Sequence, residues 1–321
     1  MRLRLLLLAA LTLAALTVPA AGASAAYTVG IAENNPGMFG DPLFQGLGVK
    51  QSRVVVSRDV VSRNDDELAR VSQYLAAANA SGVEPLVTFE HSRGGPLDCR
   101  SRRNRSKAPC KLPSVSAYKK ALTAFLTTFG SVHTLAPFNE INHSTQPTWN
   151  NPRRAAQYTD TARSVCRTLK RKCTIVVADL LDQADSAVSR TPNYSATKSY
   201  IRSFRRYLKA PRTICGLHNY SDTNRFRTTG TRVLVKALGC KQYWLTETGG
   251  IYKFGSSFKA SQSRQLKATK YLFQKVARVT ARTKRVYVYT FFGGVTSRFD
   301  AGLVANGRAR SAYAEVKKRV R

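Results

Sequence analysis

Along most of the chain, short apolar runs rich in β-branched residues alternate with longer segments in which apolar residues recur at helical spacing. The apolar runs are nearly continuous, which is typical of parallel strands that are buried on both faces. Helical segments between such strands indicate a parallel sheet wrapped by helices. The runs predicted as strands are residues 28–33, 53–58, 84–90, 134–139, 173–179, 213–219, 242–246 and 285–291.

Eight pairs of strand and helix predict one α/β domain, a single (β/α)8 TIM barrel that spans residues 26–321. Such a barrel typically takes about 250 residues, and the chain supplies these with room for insertions. An open doubly wound sheet is the alternative fold. No Gly-x-Gly-x-x-Gly turn follows the first predicted strand, so nothing in the sequence supports nucleotide binding on that alternative.

Residues 1–25 have the pattern of a secretory signal peptide. Met1-Arg2-Leu3-Arg4 forms a charged start, residues 5–18 are apolar, and Ala23-Ser24-Ala25 fits a small-residue cleavage site. The apolar run is too short to favour a membrane span, and no later segment approaches the required length. We therefore expect a secreted, extracellular protein with no membrane span.

All six cysteines lie in the predicted mature chain, where export permits oxidation. Fifteen pairings are possible, and the sequence does not choose among them. Pairing between nearest neighbours joins Cys99 to Cys110, Cys166 to Cys173 and Cys215 to Cys240. The spacings lack a paired C-x-x-C pattern and there are four histidines, so we expect no metal and no cofactor.

The formal net charge of +34 is extreme and bears on partners more than on fold. It is compatible with contact to an acidic polysaccharide or a cell wall, or simply with arginine-rich codon usage on solvent-facing helices. A nucleic-acid partner would give the same electrostatic signature. No motif of a nucleic-acid-binding module accompanies the charge, so no nucleic acid is expected.

Acidic residues are scarce, 18 in the whole chain, yet several of them fall where predicted strands end. Active-site groups of a (β/α)8 barrel lie at the carboxyl ends of its strands. A concentration of carboxylates there therefore indicates an active site. The strand-closing acids are Glu33, Glu90, Glu140, Asp179 and Glu247, with Asp59 and Asp182 close behind, and Arg58, His91, His218 and Tyr220 fall on the same rim.

Glu140 and Glu247 stand out as a pair. Glu140 follows the fourth predicted strand in Ala136-Pro137-Phe138-Asn139-Glu140, and Glu247 ends the seventh. Strands four and seven face each other across a barrel, so both carboxyls can point at a shared centre. Glycoside hydrolysis needs two such carboxyls, one to protonate the leaving oxygen and one to attack or to activate water.

This arrangement resembles clan A of the retaining glycoside hydrolases, which have an Asn-Glu motif after strand four and a nucleophilic Glu after strand seven. Within the clan the chain is most similar to families 39 and 5. The resemblance covers the mature chain, although short motifs carry it. It implies that Glu140 is the acid/base, that Asn139 binds the sugar 2-hydroxyl, and that Glu247 is the nucleophile.

The resemblance also implies roles for residues on the other strands. Tyr220 matches the tyrosine that contacts the nucleophile, and Arg58 matches the arginine that ends strand two. His91 matches a substrate-facing histidine after strand three. At strand eight the clan usually has a tryptophan, whereas this chain has Phe291-Phe292, so we expect a phenylalanine face to stack on the sugar.

The mechanism sets requirements on the two carboxyls. Glu140 must carry a proton, so we expect burial or ionised Glu247 to raise its pKa. Hydrogen bonds from Tyr220 and the positive charge of Arg58 are expected to keep Glu247 ionised. Retention further predicts carboxyls about 5 to 5.5 Å apart.

Several of these residues have structural interpretations as well. His218 is expected on the substrate-binding rim; the alternative is a hydrogen-bonded histidine of the barrel core. Glu33 and Glu90 either bind substrate or form ion pairs with Arg58 or Arg93. Trp149, in the loop after strand four, either stacks on a sugar ring or packs in the core.

Residues 91–111 form a strongly basic loop, with seven lysines and arginines against Asp98. If Cys99 pairs with Cys110, the loop is held above the catalytic face. It either binds a carboxylated, sulfated or phosphorylated glycan, or is a solvated loop of a basic protein.

The sequence therefore predicts a secreted, monomeric retaining glycosidase that acts on a poly- or oligosaccharide. The alternative is a non-catalytic polysaccharide or cell-wall binding protein on the same barrel, because fold and function are separable. The Glu140 and Glu247 pair favours the enzyme.

Overall fold

The computed structural model describes residues 27–185, 192–294 and 298–320. The predicted signal peptide lies outside these residues and stays a prediction. No helix in the described ranges is long and apolar enough to cross a membrane.

Eight parallel strands close into a barrel in which each strand pairs with the next along the chain and the last pairs with the first. The predicted (β/α)8 TIM barrel is therefore confirmed. The strands of the barrel are β1 (Thr28–Ala32), β2 (Gln51–Ser57), β3 (Glu84–Glu90), β4 (Thr134–Ala136), β5 (Thr174–Leu181), β6 (Ile214–His218), β7 (Gln242–Thr248) and β9 (Thr283–Tyr289). Four short strands form two small antiparallel sheets outside the barrel, one of β8 (Lys253–Phe254) with β10 (Phe299–Asp300) and one of β11 (Val304–Ala305) with β12 (Arg308–Ala309).

Helices follow the strands and cover the outside of the barrel. Their bounds are α1 (Pro42–Gln45), α2 (Val60–Arg63), α3 (Asp66–Ala80), α4 (Val115–Thr128), α5 (Pro152–Thr168), α6 (Ser195–Tyr207), α7 (Tyr220–Asn224), α8 (Thr229–Leu238), α9 (Gln262–Tyr271) and α10 (Ser311–Lys317). The last turn of α9 continues as a π-helical segment, Leu272–Val276.

Helix starts follow the capping residues in the sequence. The Asp65 side chain accepts a hydrogen bond from the Glu67 N–H at the start of α3. Asn151 does the same for Arg154 at the start of α5, where Pro152 occupies the first turn. Such caps satisfy backbone donors that have no partner within the helix.

The core has two layers. A large cluster fills the space between the strands and the helices, and a small one fills the inside of the barrel, as expected for this fold. The inner cluster consists of Ala32, Leu86, Ala136, Val176, Trp244 and Tyr287.

The three disulfides join nearest neighbours, so the predicted pairing is confirmed. The bonds are Cys99–Cys110, Cys166–Cys173 and Cys215–Cys240. The first of them closes the basic loop, and the third joins the start of β6 to the turn before β7.

The eighth barrel strand differs from its predicted bounds of 285–291. It begins at Thr283 and ends at Tyr289, and it pairs with β1 from Arg285 to Tyr289. Its carboxyl end therefore lies two residues earlier than predicted, which changes the aromatic residue that faces the active-site end.

Candidate active site

Glu140 lies beyond the end of β4 in an unusual backbone conformation. Its φ is 37°, in the left-handed region that a residue with a side chain rarely adopts. Such a conformation costs on the order of 1–3 kcal/mol and persists where neighbouring contacts impose it. Here the Asn139 N–H donates to the Phe89 carbonyl, and the Ile141 N–H donates to the Asp179 carbonyl over 3.0 Å.

Arg53 is the centre of the site. It belongs to β2, is 1% exposed, and points its guanidinium into the barrel mouth. Its Nη1 lies 2.5 Å from Glu247 Oε2, and its Nη2 lies 2.8 Å from Asn139 Oδ1 and 3.1 Å from Asp179 Oδ2. Burial opposes the charge, but the carboxylates of Glu247 and Asp179 outweigh burial and raise the pKa of Arg53.

The prediction that Arg58 would support Glu247 is wrong. Arg58 Nη1 lies 3.7 Å from Asp59 Oδ2, and the arginine that contacts Glu247 is Arg53. Side chains alternate along a strand, and position 58 continues the series of Val54 and Val56, which pack in the layer between barrel and helices. An arginine inside an apolar run was the available signal, because a buried charge needs a partner.

Tyr220 contacts the second catalytic candidate as predicted. Its hydroxyl donates to Glu247 Oε1 over 2.9 Å. Burial and the charge of Glu247 raise the pKa of Tyr220 well above its usual value, so the phenol remains a neutral donor. Glu247 is therefore held by two donors, one on each carboxylate oxygen, and its side chain is 15% exposed.

His218 links the other candidate to the same network. Its Nδ1 lies 2.9 Å from Glu140 Oε1, and its Nε2 lies 3.3 Å from Asp179 Oδ1. Burial disfavours the imidazolium, but the charges of Asp179 and Glu247 and the hydrogen bonds outweigh it and raise the pKa of His218 to about 10. His218 is thus both a hydrogen-bonded histidine of the barrel interior and a direct partner of Glu140.

The expectation of a raised pKa at Glu140 is wrong for this state of the site. Burial does act to raise it, but the hydrogen bond and charge of His218, with help from His143 and Arg53, lower the pKa of Glu140 overall. The proton of the His218 and Glu140 pair therefore resides on the imidazole. His143 Nδ1 lies 3.4 Å from Glu140 Oε2, on the side away from His218.

A cavity of about 620 Å³ opens over Asn139 and Glu140. It is lined by residues from the carboxyl ends of the first four barrel strands, from the segments that follow them and from the start of α3, together with Tyr289 of the eighth strand. The other lining residues are Asn34, Ser57, Asp66, Glu67, Arg70, Glu90, His91, Arg93, Gly94, Gly95, Pro96, Thr145 and Gln146.

The prediction that Phe291 and Phe292 would face a sugar is wrong for Phe291. Phe291 is fully buried and packs edge-to-face on Phe44 and on Phe292. Phe292 packs against the same core, and its N–H donates to Glu33 Oε2 over 3.0 Å. The aromatic residue of the eighth strand that lines the cavity is Tyr289, which the sequence would have indicated had the strand end been placed correctly.

The structure brings His91 to the cavity and takes Trp149 elsewhere. The His91 N–H donates to Gln146 Oε1 over 3.2 Å, and both residues line the main cavity. Trp149 lines a separate cavity of about 290 Å³ with Tyr200 and Asn142. A stacking role for Trp149 beside Glu140 is therefore not supported.

Neither Glu33 nor Glu90 forms the ion pair with Arg58 or Arg93 that the sequence allowed. Glu33 accepts from the N–H groups of Asn34, Asn35 and Phe292 and from the Thr290 hydroxyl, which makes it structural. Glu90 lines the cavity, and burial raises its pKa.

No group of three potential ligands is arranged to hold a metal ion among the described residues. The carboxylates of Glu140, Asp179 and Glu247 contact Arg53 and His218 instead.

Solved structures that are similar to this chain include three glycoside hydrolases, each of which matches most of the chain. The chain is similar to a family 1 β-glucosidase from Thermotoga maritima, with a TM-score of 0.61, 11% identity, and 91% of this chain and 97% of that one covered. It is similar to the GH53 catalytic domain of Ignisphaera aggregans, with a TM-score of 0.61, 15% identity, and 94% and 98% covered. A GH5_18 protein from Streptomyces cattleya, solved with GlcNAc, has a TM-score of 0.59 at 14% identity, with 92% and 80% covered.

These neighbours share the fold of clan A glycoside hydrolases, the clan that the sequence motifs resemble. At such low sequence identity the structural similarity establishes the barrel fold alone, and the reaction has to be inferred from the residues of the candidate site. No protein-family model matches the chain, and no curated protein matches it in sequence.

Proposed function

We propose that the protein is a secreted retaining glycoside hydrolase that cleaves O-glycosidic bonds of a poly- or oligosaccharide. The observation that carries the proposal is one buried network that joins the two glutamates. Glu140 contacts His218, His218 and Arg53 both contact Asp179, and Arg53 contacts Glu247. A network of this kind holds two carboxyls in fixed positions around a shared centre.

Glu247 is the proposed nucleophile. Arg53 and Tyr220 each donate to one of its oxygens, which orients the carboxylate and limits its mobility. In the first step a Glu247 oxygen bonds to the anomeric carbon while the glycosidic C–O bond breaks, and the leaving oxygen takes a proton from Glu140. In the second step Glu140 takes a proton from water, whose oxygen displaces Glu247 from the same carbon.

Glu140 needs a proton for the first step, and the lowered pKa of Glu140 and the raised pKa of His218 place that proton on His218. A sugar that fills the cavity removes water from Glu140 and strengthens the burial effect that raises its pKa. The proton then has a path of one hydrogen bond, 2.9 Å long, from His218 Nδ1 to Glu140 Oε1. We propose that His218 and Glu140 act together as the acid/base unit.

Asn139 is the proposed ligand of the sugar 2-hydroxyl. Its Oδ1 accepts a hydrogen bond from Arg53 over 2.8 Å, which orients the amide so that its NH2 group is available as a donor. His91 and Tyr289 line the same cavity and are the proposed sugar contacts on either side.

The alternative is a protein that binds polysaccharide without cleaving it. One observation favours this alternative, the lowered pKa of Glu140, since a carboxyl without a proton cannot act as the acid. In the enzyme proposal, His218 supplies the missing proton to Glu140 through the hydrogen bond between them.

The test is a screen of aryl glycosides and polysaccharides with the wild type, Glu247→Gln and Glu84→Gln. Glu84 begins β3 at the opposite end of the barrel, where it pairs with Arg285 over 3.0 Å, and is the matched control. We expect hydrolysis by the wild type and by Glu84→Gln, and loss of hydrolysis in Glu247→Gln. Binding without hydrolysis by the wild type would support the alternative.

A further inference from the structure

Residues 99–111, here called the basic turn, carry an uncompensated positive charge. Six of its side chains are cationic and exposed, and five of the six form no ion pair with a carboxylate of the described residues. The five are Arg102, Arg103, Arg105, Lys107 and Lys111. The neighbouring Asp98 is already held by Arg100, through contacts of 2.9 and 2.8 Å to its two oxygens.

The basic turn is folded and anchored. The Cys99–Cys110 disulfide closes it, and the Cys99 N–H donates to the Ser144 carbonyl over 2.8 Å. Inside it, the Asn104 side chain donates to the Asp98 carbonyl over 3.0 Å, and the Lys107 N–H donates to the Asn104 carbonyl. A backbone held in this way loses little further conformational freedom when a ligand binds to its side chains.

The cavity has the opposite charge balance. Its lining includes four carboxylic acids, Asp66, Glu67, Glu90 and Glu140, against the two arginines Arg70 and Arg93. In a protein whose net charge is +34, the acids are therefore concentrated where the sugar is proposed to bind. A polyanion is attracted to the outer surface and gains less from entering the cavity.

The composition of the basic turn distinguishes among anionic partners. It contains no aromatic residue on which a nucleic-acid base could stack, and no large apolar side chain that could enter a membrane. Arginine and lysine side chains without such residues suit carboxylate, sulfate or phosphate groups on a hydrated polymer.

We propose that the basic turn is a binding site for an anionic polysaccharide, separate from the cavity, and that it anchors the protein to such a polymer. This proposal does not depend on the glycosidase activity.

The test measures the binding of two purified polymers, polygalacturonate and dextran sulfate, with neutral dextran as the uncharged reference. In the turn variant the five cations other than Arg100 are replaced by Gln. The control variant replaces the same number of exposed cations elsewhere and has the same net charge. Its positions are Lys236, Lys241, Lys270, Lys275 and Lys284. Thermal unfolding of both variants verifies that they are folded.

We expect the turn variant to bind both anionic polymers at least about tenfold more weakly, since each surface charge contributes a fraction of a kcal/mol. The control variant should retain its affinity within about threefold, and the wild-type affinity should fall as salt rises. Equal losses in the two variants would overturn the proposal, because they would show that the charge acts diffusely. Tighter binding to single-stranded DNA or to anionic vesicles than to both polysaccharides would also overturn it.

Discussion

His218 Nδ1 lies 2.9 Å from Glu140 Oε1, and the opposite ring nitrogen of His218 lies 3.3 Å from Asp179 Oδ1. The imidazole is therefore placed between two carboxylates with no exposure to solvent. Its charge lowers the pKa of Glu140, while the pKa of His218 itself rises to about 10. The two residues titrate as a pair that binds one proton across the neutral range.

This pair predicts the pH dependence of the proposed hydrolysis. In the wild type the pair keeps its proton up to a pH near 10, so the alkaline limb of kcat/KM should lie at high pH. In His218→Asn, Glu140 alone supplies the proton. Burial raises the pKa of this carboxyl once the imidazolium is gone, but the carboxyl still loses its proton at a lower pH than the wild-type pair does, so the limb moves to lower pH. The measurement is kcat/KM against pH for both proteins.

His143→Asn is the control for the same measurement. His143 also approaches Glu140, at 3.4 Å, but it is partly exposed and lacks a second carboxylate partner among the described residues. Its replacement should leave the alkaline limb nearly unchanged. An unchanged limb in His218→Asn would contradict the shared-proton account.

Arg58 and Arg53 form a second matched pair of variants. The sequence predicted Arg58 as the partner of Glu247, whereas the structure shows Arg53 in that place. Arg53→Met leaves Glu247 and Asp179 without their buried cation, which typically costs about 3–5 kcal/mol. We expect urea unfolding to show this loss and kcat to fall by at least about 100-fold, as when a donor to a reacting group is removed. Arg58→Met should cost about 1 kcal/mol or less. A larger effect for Arg58→Met on both measurements would reverse the assignment.

Stability should depend on pH through His218. The pKa of a histidine in the unfolded chain is about 6.5, and in the folded protein that of His218 is about 10. The folded state binds this proton more tightly, so the stabilisation is fully present below about pH 6.5 and is lost as the pH rises towards 10. Urea unfolding between pH 6 and pH 10 measures this slope. His218→Gln should show a flatter one, and an equal slope in the two proteins would remove His218 as its source.

Tyr289 and Phe292 are the two candidates for the aromatic residue that contacts the sugar near the end of the eighth strand, and their alanine variants should distinguish them. Tyr289 lines the cavity, whereas Phe292 packs against the core and is not among the lining residues. Tyr289→Ala should raise KM about fivefold or more, because one stacking ring contributes roughly 1 kcal/mol or more. Phe292→Ala should lower stability and leave KM within a factor of about two. The opposite pattern would restore the sequence-based assignment.

The barrel could be predicted from the sequence because its signals are local. Each strand is an apolar run, and the count of eight requires no knowledge of distant contacts. The nearest-neighbour disulfides could be proposed for the same reason, since each pair closes a short loop. Glu140, Glu247 and Tyr220 could be found because they follow strands or end them, where the fold places its chemistry.

The errors arose where a side chain's direction decides its role. A shift of two residues at the end of β9 exchanges Tyr289 for Phe291 as the candidate sugar contact. Alternation along β2 turns Arg53 inward and leaves Arg58 beside Asp59. The lowered pKa of Glu140 also could not be predicted, because it depends on His218, which is 78 residues away in the chain. Only the closed barrel brings these two residues together.

The central claim is that Glu247 forms a covalent bond to the sugar. The most direct measurement is incubation with a panel of 2-deoxy-2-fluoro glycosyl fluorides, followed by mass spectrometry of the intact protein and of its peptides. A fluorine at C2 slows both steps, while the reactive fluoride leaving group keeps the first step fast, so the glycosyl-enzyme accumulates. The account predicts one added sugar, located on Glu247 and absent from Glu247→Gln. A sugar attached to another carboxylate, or products released with inverted configuration and no adduct, would contradict it.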